Sequence, residues 1–291
     1  MTKIEEQKIK FILRIPKNEK KTPHQLIEHY LIEKRLANQL REATKSERSY
    51  LYSSLYDELF KQVPDHPQIL FEQDKAAQHV YVLQNMKLLK RYFKNQDSFL
   101  EIGAGDCSLS REVSKLVKKV YAVDVSKEIT PNKVFPGNFE LVISNGSTIP
   151  INENTIDIAY SNQLMEHLHP DDALEQLQNV YNSLKPRGVY ICITPNRISG
   201  PHDISRYFDR VATGFHLHEY TFNELSEIFK RAGFRKTKCY IGGRGLYCKF
   251  SPIILKASEK ILLKIPLNLR AKVTRTKLFS GFLGIIIIGE K

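Results

Sequence analysis

The pattern of apolar and polar positions changes near Ser98 and divides the chain into two parts. Upstream of that point the sequence carries the signals of helices. Thr22-Pro23-His24-Gln25 combines a capping side chain, a proline at the first helical position and the glutamine of a capping box. We expect a helix-rich stretch from there to about Phe60 and a further helix over Asp74–Tyr92, so that residues 1–92 form a helical N-terminal cap.

Downstream of Ser98, short apolar runs alternate with helical segments. Strands are predicted at Ser98–Ile102, Val120–Val123, Phe139–Ile143, Ile156–Tyr160 and Val189–Thr194. Helices are predicted over Leu109–Lys119 and Asp171–Leu184. Strands that alternate with helices of this length form βαβ units, and such units build a mainly parallel sheet. The pattern therefore predicts an α/β fold.

The last part of the chain begins with another capping box. Thr221-Phe222-Asn223-Glu224 starts a helix that ends at Gly233. A strand is predicted near Thr237–Ile241, and a closing strand covers Leu283–Ile288. A basic insertion over about 244–278 separates these two strands.

Composition and charge narrow the class of protein. The chain has 291 residues, of which 42% are hydrophobic and 26% charged, as in an ordinary globular protein. The formal net charge is +12, and the final 48 residues carry 10 basic and 2 acidic side chains. Because the positive charge is concentrated in one region, it indicates a local role of that region. It does not indicate a protein that binds nucleic acid over its whole surface.

Three further classes are disfavoured by the sequence. No apolar run approaches the roughly 20 residues of a membrane-spanning helix, and the first residues lack the apolar region of a signal peptide. Cys107, Cys192, Cys239 and Cys248 have no CxxC spacing, which argues against a zinc site and a disulfide framework. We therefore expect a cytoplasmic protein.

A glycine-rich loop is the first candidate for ligand binding. The segment EIGAGDCS follows a predicted strand and opens a helix, and Gly103 and Gly105 allow the backbone to approach a ligand closely. Asp124 ends the next strand, where its carboxylate can accept both hydroxyls of a ribose. A tight strand-to-helix turn without a ligand would use the same glycines.

Two nucleoside cofactors compete for this loop. A nicotinamide dinucleotide fingerprint needs a third glycine where this chain has Ser108, and it has no use for Glu101. S-adenosylmethionine has no pyrophosphate but carries a cationic methionine moiety, which suits an acidic residue near the loop. The residues therefore favour S-adenosylmethionine.

Four ordered segments resemble motifs of the class I S-adenosylmethionine-dependent methyltransferases: FLEIGAGDCS, VYAVDVS, GSTIPINENTIDIAYSNQLMEHL and LKPRGVYICITPN. The resemblance runs from about Phe99 to Gly233 and continues to the closing strand. It implies a methyltransferase domain over residues 93–291 with a Rossmann-like, seven-stranded sheet in an αβα sandwich. The last strand of that sheet would be antiparallel and lie beside the sixth.

The resemblance also implies a set of cofactor-binding residues. These are Glu101, Gly103 and Gly105 on the methionine side, Asp124 at the ribose, Asn145 and Gly146 beside the adenine, and Asn162 at the end of the fourth strand. The family often has aspartate at the position of Asn145. Asparagine also offers an acceptor oxygen, so adenine binding is compatible with this departure.

Candidate catalytic residues come from the loops that follow the predicted strands. Transfer to a hydroxyl or ammonium acceptor requires a nearby base, and His167 is our first candidate, with His202 and His216 as rivals. Histidines in loops also commonly cap turns and hydrogen-bond the backbone. Acceptor contacts are predicted for Tyr50, Tyr52 or Tyr56 of the cap, with Tyr50 and Tyr56 preferred, and for His218.

Two kinds of partner are not expected. Glu166-His167 resembles the acid–histidine pair of ubiquinone-pathway O-methyltransferases, in which a divalent metal assists, but Gln163 replaces the preceding acid, so we expect no metal. No nucleic acid is expected either. The fourth strand is followed by Ser161-Asn162-Gln163-Leu164 instead of an Asn/Asp-Pro-Pro-aromatic loop, and Cys192 lies inside a strand.

The basic insertion has two interpretations. Lys256, Lys260 and Lys264 recur every four residues on a predicted helix, and the apolar residues fall largely on its other sides. We favour a lid helix that packs on the sheet and exposes its lysines, and the alternative is peripheral contact with an anionic membrane.

The sequence as a whole predicts O-methylation of a small-molecule or glycan-like acceptor with S-adenosylmethionine. A methyltransferase for a membrane-resident quinone or lipid-linked acceptor and a non-catalytic scaffold that binds the cofactor are the alternatives. The oligomeric state is left open.

Overall fold

The computed structural model describes residues 11–12, 15–125, 134–274, 276, 279 and 283–291. Its centre is a sheet whose strands, within these residues, are β1 Ser98–Ile102, β2 Lys119–Asp124, β3 Phe139–Ile143, β4 Ile156–Asn162, β5 Leu184–Thr194, β6 Lys236–Gly243, β7 Leu246–Phe250 and β8 Ile285–Glu290. They lie in the order β3-β2-β1-β4-β5-β8-β6-β7. Strands β1 to β5 are parallel, and β8 is antiparallel to both β5 and β6.

Helices cover both faces of the sheet. The described α-helices are α1 Pro23–Glu42, α2 Lys45–Gln62, α3 Pro67–Gln73, α4 Lys75–Leu89, α5 Ser108–Val113, α6 Pro170–Ser183, α7 Phe222–Ala232, α8 Pro252–Lys264 and α9 Leu267–Thr274. Leu100 and Ile102 share one apolar cluster with residues of α1, α2, α6, α7 and α8. Phe99 shares a second cluster with residues of α4 and α5. The alternation of side chains along a strand thus produces three layers.

The α/β, Rossmann-like class is confirmed, whereas the predicted count of seven strands is wrong. Within the described residues the sheet has eight strands, because β6 and β7 form a hairpin at its edge. The two connecting residues, Arg244 and Gly245, both have positive φ, at 53° and 85°. This backbone is that of a tight hairpin turn. The first part of the predicted basic insertion is therefore a turn and an edge strand.

The N-terminal helices form where capping signals occur. Thr22 and Thr44 both make capping boxes, and the break between α1 and α2 falls at the second of them. The helix after the glycine loop is shorter than predicted and ends at Val113. The Asn138 side chain donates to the carbonyls of Ser114 and Val117, which satisfies these groups outside a helix. No described helix is both long and apolar enough to cross a membrane.

The domain boundary predicted between residues 92 and 93 stays a prediction. Residues 1–10 lie outside the described part of the chain, as do 275, 277 and 278 of the predicted basic insertion.

Candidate functional site

A cavity, here called the inner cavity, lies at the carboxyl ends of β1 to β4. Open parallel sheets bind their ligands at this edge. Its wall comes from the loops after these strands and from α2, α3 and α6: Tyr52, Tyr56, Phe60, Gln68, Ile102, Gly103, Gly105, Val123, Asp124, Val125, Ser144, Gly146, Gln163, Leu164, His167, Leu168 and Gln176. The inner cavity is thus lined both by residues that the sequence predicted for the site and by residues that it did not.

The glycine loop folds around the carboxylate of Asp124. The backbone N–H of Gly105 donates to Asp124 Oδ2 over 2.8 Å, and the N–H of Val125 donates to Oδ1 over 2.7 Å. Gly103 and Gly105 have φ values of 70° and 50°, which side chains rarely allow. A carboxylate oxygen that accepts one N–H bond can still accept another, so Asp124 retains capacity for ligand hydroxyls.

Glu101 lies behind the loop and does not line the inner cavity. The hydroxyl of Ser110 donates to Glu101 Oε2 over 2.5 Å. Burial, together with the nearby Asp106 and Asp124, raises the pKa of Glu101 to about 8, although the hydrogen bond from Ser110 lowers it. The carboxyl group is therefore largely protonated at neutral pH.

The structure separates the predicted adenine-side residues. Gly146 lines the inner cavity, but Asn145 turns its oxygen to the backbone N–H and hydroxyl of Thr148. Asn162 donates towards Tyr81 on α4, and Gln163 after it lines the cavity instead. The asparagine that departs from the family pattern is thus engaged in its own turn.

Gln176 on α6 is a cavity residue that the sequence did not reveal. Its amide nitrogen donates to the carbonyl of Gly146, and its oxygen is buried without a hydrogen-bond partner among the described residues. An unpaired buried acceptor is costly, so a ligand donor at this position would stabilise it. The available signal was a polar residue on the apolar face formed by Ala173, Leu177 and Val180.

The second helix of the cap forms a wall of the inner cavity. Tyr52 and Tyr56 are four residues apart and share the inward face of α2. Tyr50 is two residues before Tyr52 and therefore points to the opposite side, where it is 80% exposed. The prediction for Tyr50 is therefore wrong, whereas Tyr52 and Tyr56 both line the inner cavity.

A buried ion pair holds this wall against α6. Arg48 makes two hydrogen bonds to Asp172, of 2.6 and 2.9 Å. Tyr52 donates to the same carboxylate over 2.7 Å. This group, here called the Arg48 clamp, fixes Tyr52 beside Gly146, where a Cβ would lie 2.8 Å from the tyrosine ring.

A second, more polar cavity, here called the outer cavity, adjoins the first and shares Tyr56, Gln68 and His167 with it. Titratable side chains line much of it: Glu19, Lys21, His29, Glu33, His66, His167, His202, Asp203, Arg206, Tyr207 and His216. The two cavities thus meet at a wall formed by three side chains.

His167 lies in that wall as a neutral imidazole. Its Nδ1 is 3.1 Å from the carbonyl oxygen of Phe215 and 2.8 Å from the hydroxyl of Tyr56. A carbonyl oxygen can only accept, so in this arrangement Nδ1 carries the proton and Nε2 keeps its lone pair. Burial, with the neighbouring His216, lowers the pKa of His167 to about 3.

His216 has the opposite charge state. Burial alone would lower its pKa, but the 2.7 Å contact with Glu219 and the nearby Glu166 and Asp203 raise it to about 9. It is therefore a cation at neutral pH and has no lone pair for a base. Its ring meets that of His167 edge-on, with 4.8 Å between centroids.

The two other predicted histidines lie further out. His202 is exposed at the rim of the outer cavity, with Nε2 3.2 Å from the carbonyl of Asn196. His218 packs against Tyr220 and lines neither cavity. Of the predicted histidines, His167 is thus the one that the structure places at both cavities.

Two groups in the described residues bring three metal-capable ligand atoms within 4.8 Å of one another, namely His29 with Glu33 and His66, and Glu166 with His167 and His216. In the second group the cationic state of His216 opposes a metal ion.

Comparison with known proteins identifies a family. A family model described as a methyltransferase domain matches residues 46–238. A curated relative, the probable S-adenosylmethionine-dependent methyltransferase of Mycolicibacterium smegmatis, is 25% identical over 136 residues, which cover 46% of this chain. The match spans about half, 51%, of the length of that relative.

Solved structures share the fold. An S-adenosylmethionine-dependent methyltransferase of Archaeoglobus fulgidus has a TM-score of 0.51 at 19% identity, covering 76% of this chain and 98% of its own. The 1,6-didemethyltoxoflavin-N1-methyltransferase of Burkholderia thailandensis, with bound 1,6-didemethyltoxoflavin and S-adenosylhomocysteine, has a TM-score of 0.52 at 15% identity, covering 86% of this chain and 91% of its own.

Proposed function

Because the chain belongs to the class I S-adenosylmethionine-dependent methyltransferase family, we propose that it binds S-adenosylmethionine in the inner cavity and methylates an acceptor in the outer cavity. The observation that carries this proposal is the junction of the two cavities at Tyr56, Gln68 and His167. A methyl donor on one side of that wall and a nucleophile on the other would meet there.

The inner cavity fits the cofactor in three respects. The loop at Gly103 and Gly105 leaves room for close approach, and Asp124 offers acceptor capacity for ribose hydroxyls. The unpartnered oxygen of Gln176 offers an acceptor for an exocyclic amine. When bound, S-adenosylmethionine supplies an activated methyl group.

The residues of this chain would align the acceptor and remove its proton. We assign the role of base to His167, because it lies at the junction of the two cavities and keeps a lone pair on Nε2. An acceptor hydroxyl at the junction would lose its proton to Nε2 of His167 as its oxygen takes the methyl group that the bound cofactor supplies. Cationic His216 and Tyr56 hold the imidazole in place.

A hydroxylated, glycan-like acceptor suits the outer cavity best. Its wall has carboxylates, imidazoles, a lysine and an arginine, which match the donors and acceptors of a sugar. An apolar aromatic acceptor would form no hydrogen bonds with these groups.

Calorimetric titration with S-adenosylmethionine, S-adenosylhomocysteine and NADH tests the cofactor. We expect the first two to bind and NADH not to bind. Asp124→Ala should weaken S-adenosylhomocysteine binding by about 1–3 kcal/mol, which is roughly 5- to 150-fold, through lost charged hydrogen bonds. Glu112→Ala, which removes an exposed carboxylate from α5, is the control. Binding of NADH alone would overturn the proposal.

Transfer of tritiated methyl groups to a panel of sugars, phenols, amines and thiols tests the acceptor class. We expect transfer to sugar hydroxyls, lost in His167→Gln and kept in His218→Gln, whose side chain lies outside both cavities. Cofactor binding without transfer to any class would indicate the scaffold alternative.

A further inference from the structure

Helix α8 exposes its apolar residues and buries an acidic one. Ile253, Ile254 and Ile261 are 80%, 55% and 66% exposed. Leu255 and Glu259 are the buried side chains of this helix. A helix that serves only to cover a core has the reverse pattern, with isoleucines inside and carboxylates in water. The helix therefore packs through Leu255 and Glu259 and leaves its isoleucines exposed together with Lys260 and Lys264.

The orientation of α8 is fixed by hydrogen bonds of Glu259. Its carboxylate accepts from the backbone N–H groups of Phe222 and Asn223 over 2.7 and 2.9 Å, at the start of α7. It also accepts from the side chain of Asn196 over 2.7 Å. Rotating the helix to bury the isoleucines would break all three bonds, so their exposure is built into the fold.

The apolar surface continues onto α9 and carries positive charge. We define the α8–α9 surface by its exposed apolar side chains: Ile253, Ile254, Ile261, Leu263, Leu267 and Leu269. Over residues 251–274 the sequence has five basic side chains and one acid. That acid is the buried Glu259, whereas Lys260, Lys264 and Lys272 are exposed.

We propose that the α8–α9 surface docks on an anionic membrane. Exposed isoleucines and leucines would insert at the level of the headgroups, while the flanking lysines would meet anionic phosphates. The local excess of positive charge complements such a surface. Neither helix is long enough to span, so the contact is peripheral.

The docking surface is connected to the outer cavity. Asn196 bonds Glu259 of α8 through its side chain, and its carbonyl lies 3.2 Å from Nε2 of His202 at the cavity rim. The hydroxyl oxygen of Thr274 on α9 lies 3.4 Å from the carbonyl oxygen of Ile198 in the same loop. Docking would thus bring the cavity rim near the lipid surface. A lipid-linked acceptor at that surface would then lie beside the outer cavity. This inference about the acceptor rests on the proposed function, whereas the docking itself does not.

Sedimentation with lipid vesicles tests docking without cofactor or acceptor. We expect the full chain to sediment with vesicles that mix phosphatidylcholine and phosphatidylglycerol, less so at high salt, and not with phosphatidylcholine alone. Lys256→Glu, Lys260→Glu and Lys264→Glu combined should abolish sedimentation. The matched control places the same charge change at the exposed Lys61, Lys94 and Lys118 and should keep it.

A fluorescent reporter tests the orientation directly, because the chain has no tryptophan. The emission of Ile261→Trp should shift to shorter wavelength with anionic vesicles, and that of Tyr50→Trp on α2 should not. No sedimentation of the parent at low salt, or equal loss in both lysine triples, would overturn docking, as would an unshifted Ile261→Trp. Calorimetry with S-adenosylhomocysteine on the same samples reports on the proposed function separately.

Discussion

Three buried side chains around the cavities have pKa values far from their ordinary ones. Burial raises the pKa of Glu101 to about 8 and lowers that of His167 to about 3. The carboxylates around His216 raise its pKa to about 9. Shifts of this kind concentrate at functional sites. Here they leave a neutral His167 between the cationic His216 and the inner cavity.

His216 should make stability depend on pH in alkaline solution. Its folded-state pKa of about 9 exceeds the unfolded value of 6.5, so its contribution is complete below 6.5 and is lost as pH rises through 9. That loss amounts to about 3 kcal/mol. Urea unfolding of the parent and His216→Gln at both pH values measures it. Identical pH dependence in the two proteins would show that the histidine is not held as a cation.

Glu101 should couple cofactor binding to proton release. Since it is largely protonated at neutral pH, a cation bound above the glycine loop would favour its ionised form. We expect S-adenosylmethionine to release part of one proton on binding at pH 7, measured by calorimetry in phosphate and Tris buffers. Glu101→Gln should remove the difference between buffers. If the parent shows no difference either, Glu101 does not sense the methionine moiety.

For single residues, the sequence predicted which residues lie at the edge of the sheet better than it predicted which way their side chains point. Gly103 and Asp124 follow strand ends, and the parallel sheet alone brings them together. Asn145 and Asn162 also follow strand ends, but their side chains find partners away from the cavity. Gln176 was missed because it lies within a helix that is distant in sequence from the loop it contacts.

Among the helices of the cap, α2 contributes two tyrosines to the wall of the inner cavity, and α3 contributes Gln68. Tyr52 and Tyr56 of α2 lie in that wall, and the Arg48 clamp attaches α2 to α6. Helix α8 is likewise attached to α7 through Glu259. In both cases a charged side chain sets which face of a helix points inward.

Arg48→Ala should destabilise the protein strongly. It would leave the carboxylate of Asp172 buried without its partner, and such losses cost about 3–5 kcal/mol. Affinity for S-adenosylhomocysteine should fall as well, because Tyr52 loses its fixed position. Denaturant unfolding and calorimetry measure the two effects. The control, Arg35→Ala, breaks an exposed pair with Glu58 and should cost less than about 1 kcal/mol. Equal effects of the two substitutions would contradict the clamp.

Element types were predictable where one signal dominates, as at the capping boxes of Thr22 and Thr221. Strand β7 was missed although Arg244 and Gly245 supply its turn, because the segment was included in the basic insertion and three of its five residues are exposed. The face of α8 could not be predicted from periodicity, since it depends on the acceptors that α7 requires at its start.

At the scale of the whole molecule, the two cavities would form one route from methyl donor to acceptor under the proposed function. The sheet supplies the floor of the inner cavity, and the helical cap closes it and borders the outer one. A ligand in the inner cavity therefore contacts both parts of the fold.

Cofactor binding should stabilise the whole chain. A ligand that binds only the folded state at a hundredfold excess over its Kd adds about 2.7 kcal/mol to the free energy of unfolding. We expect S-adenosylhomocysteine to do this in the parent, measured by urea unfolding. At the same concentration Asp124→Ala should gain less. Equal gains would place the ligand away from Asp124.

The structure of the chain with S-adenosylhomocysteine is the most direct test of the arrangement of the two cavities. We expect the ribose hydroxyls at Asp124, the adenine beside Gln176, and the sulfur facing Tyr56 and His167 at the junction with the outer cavity. A nucleoside bound elsewhere, or a sulfur atom directed away from that junction, would contradict both the cofactor site and the assignment of His167.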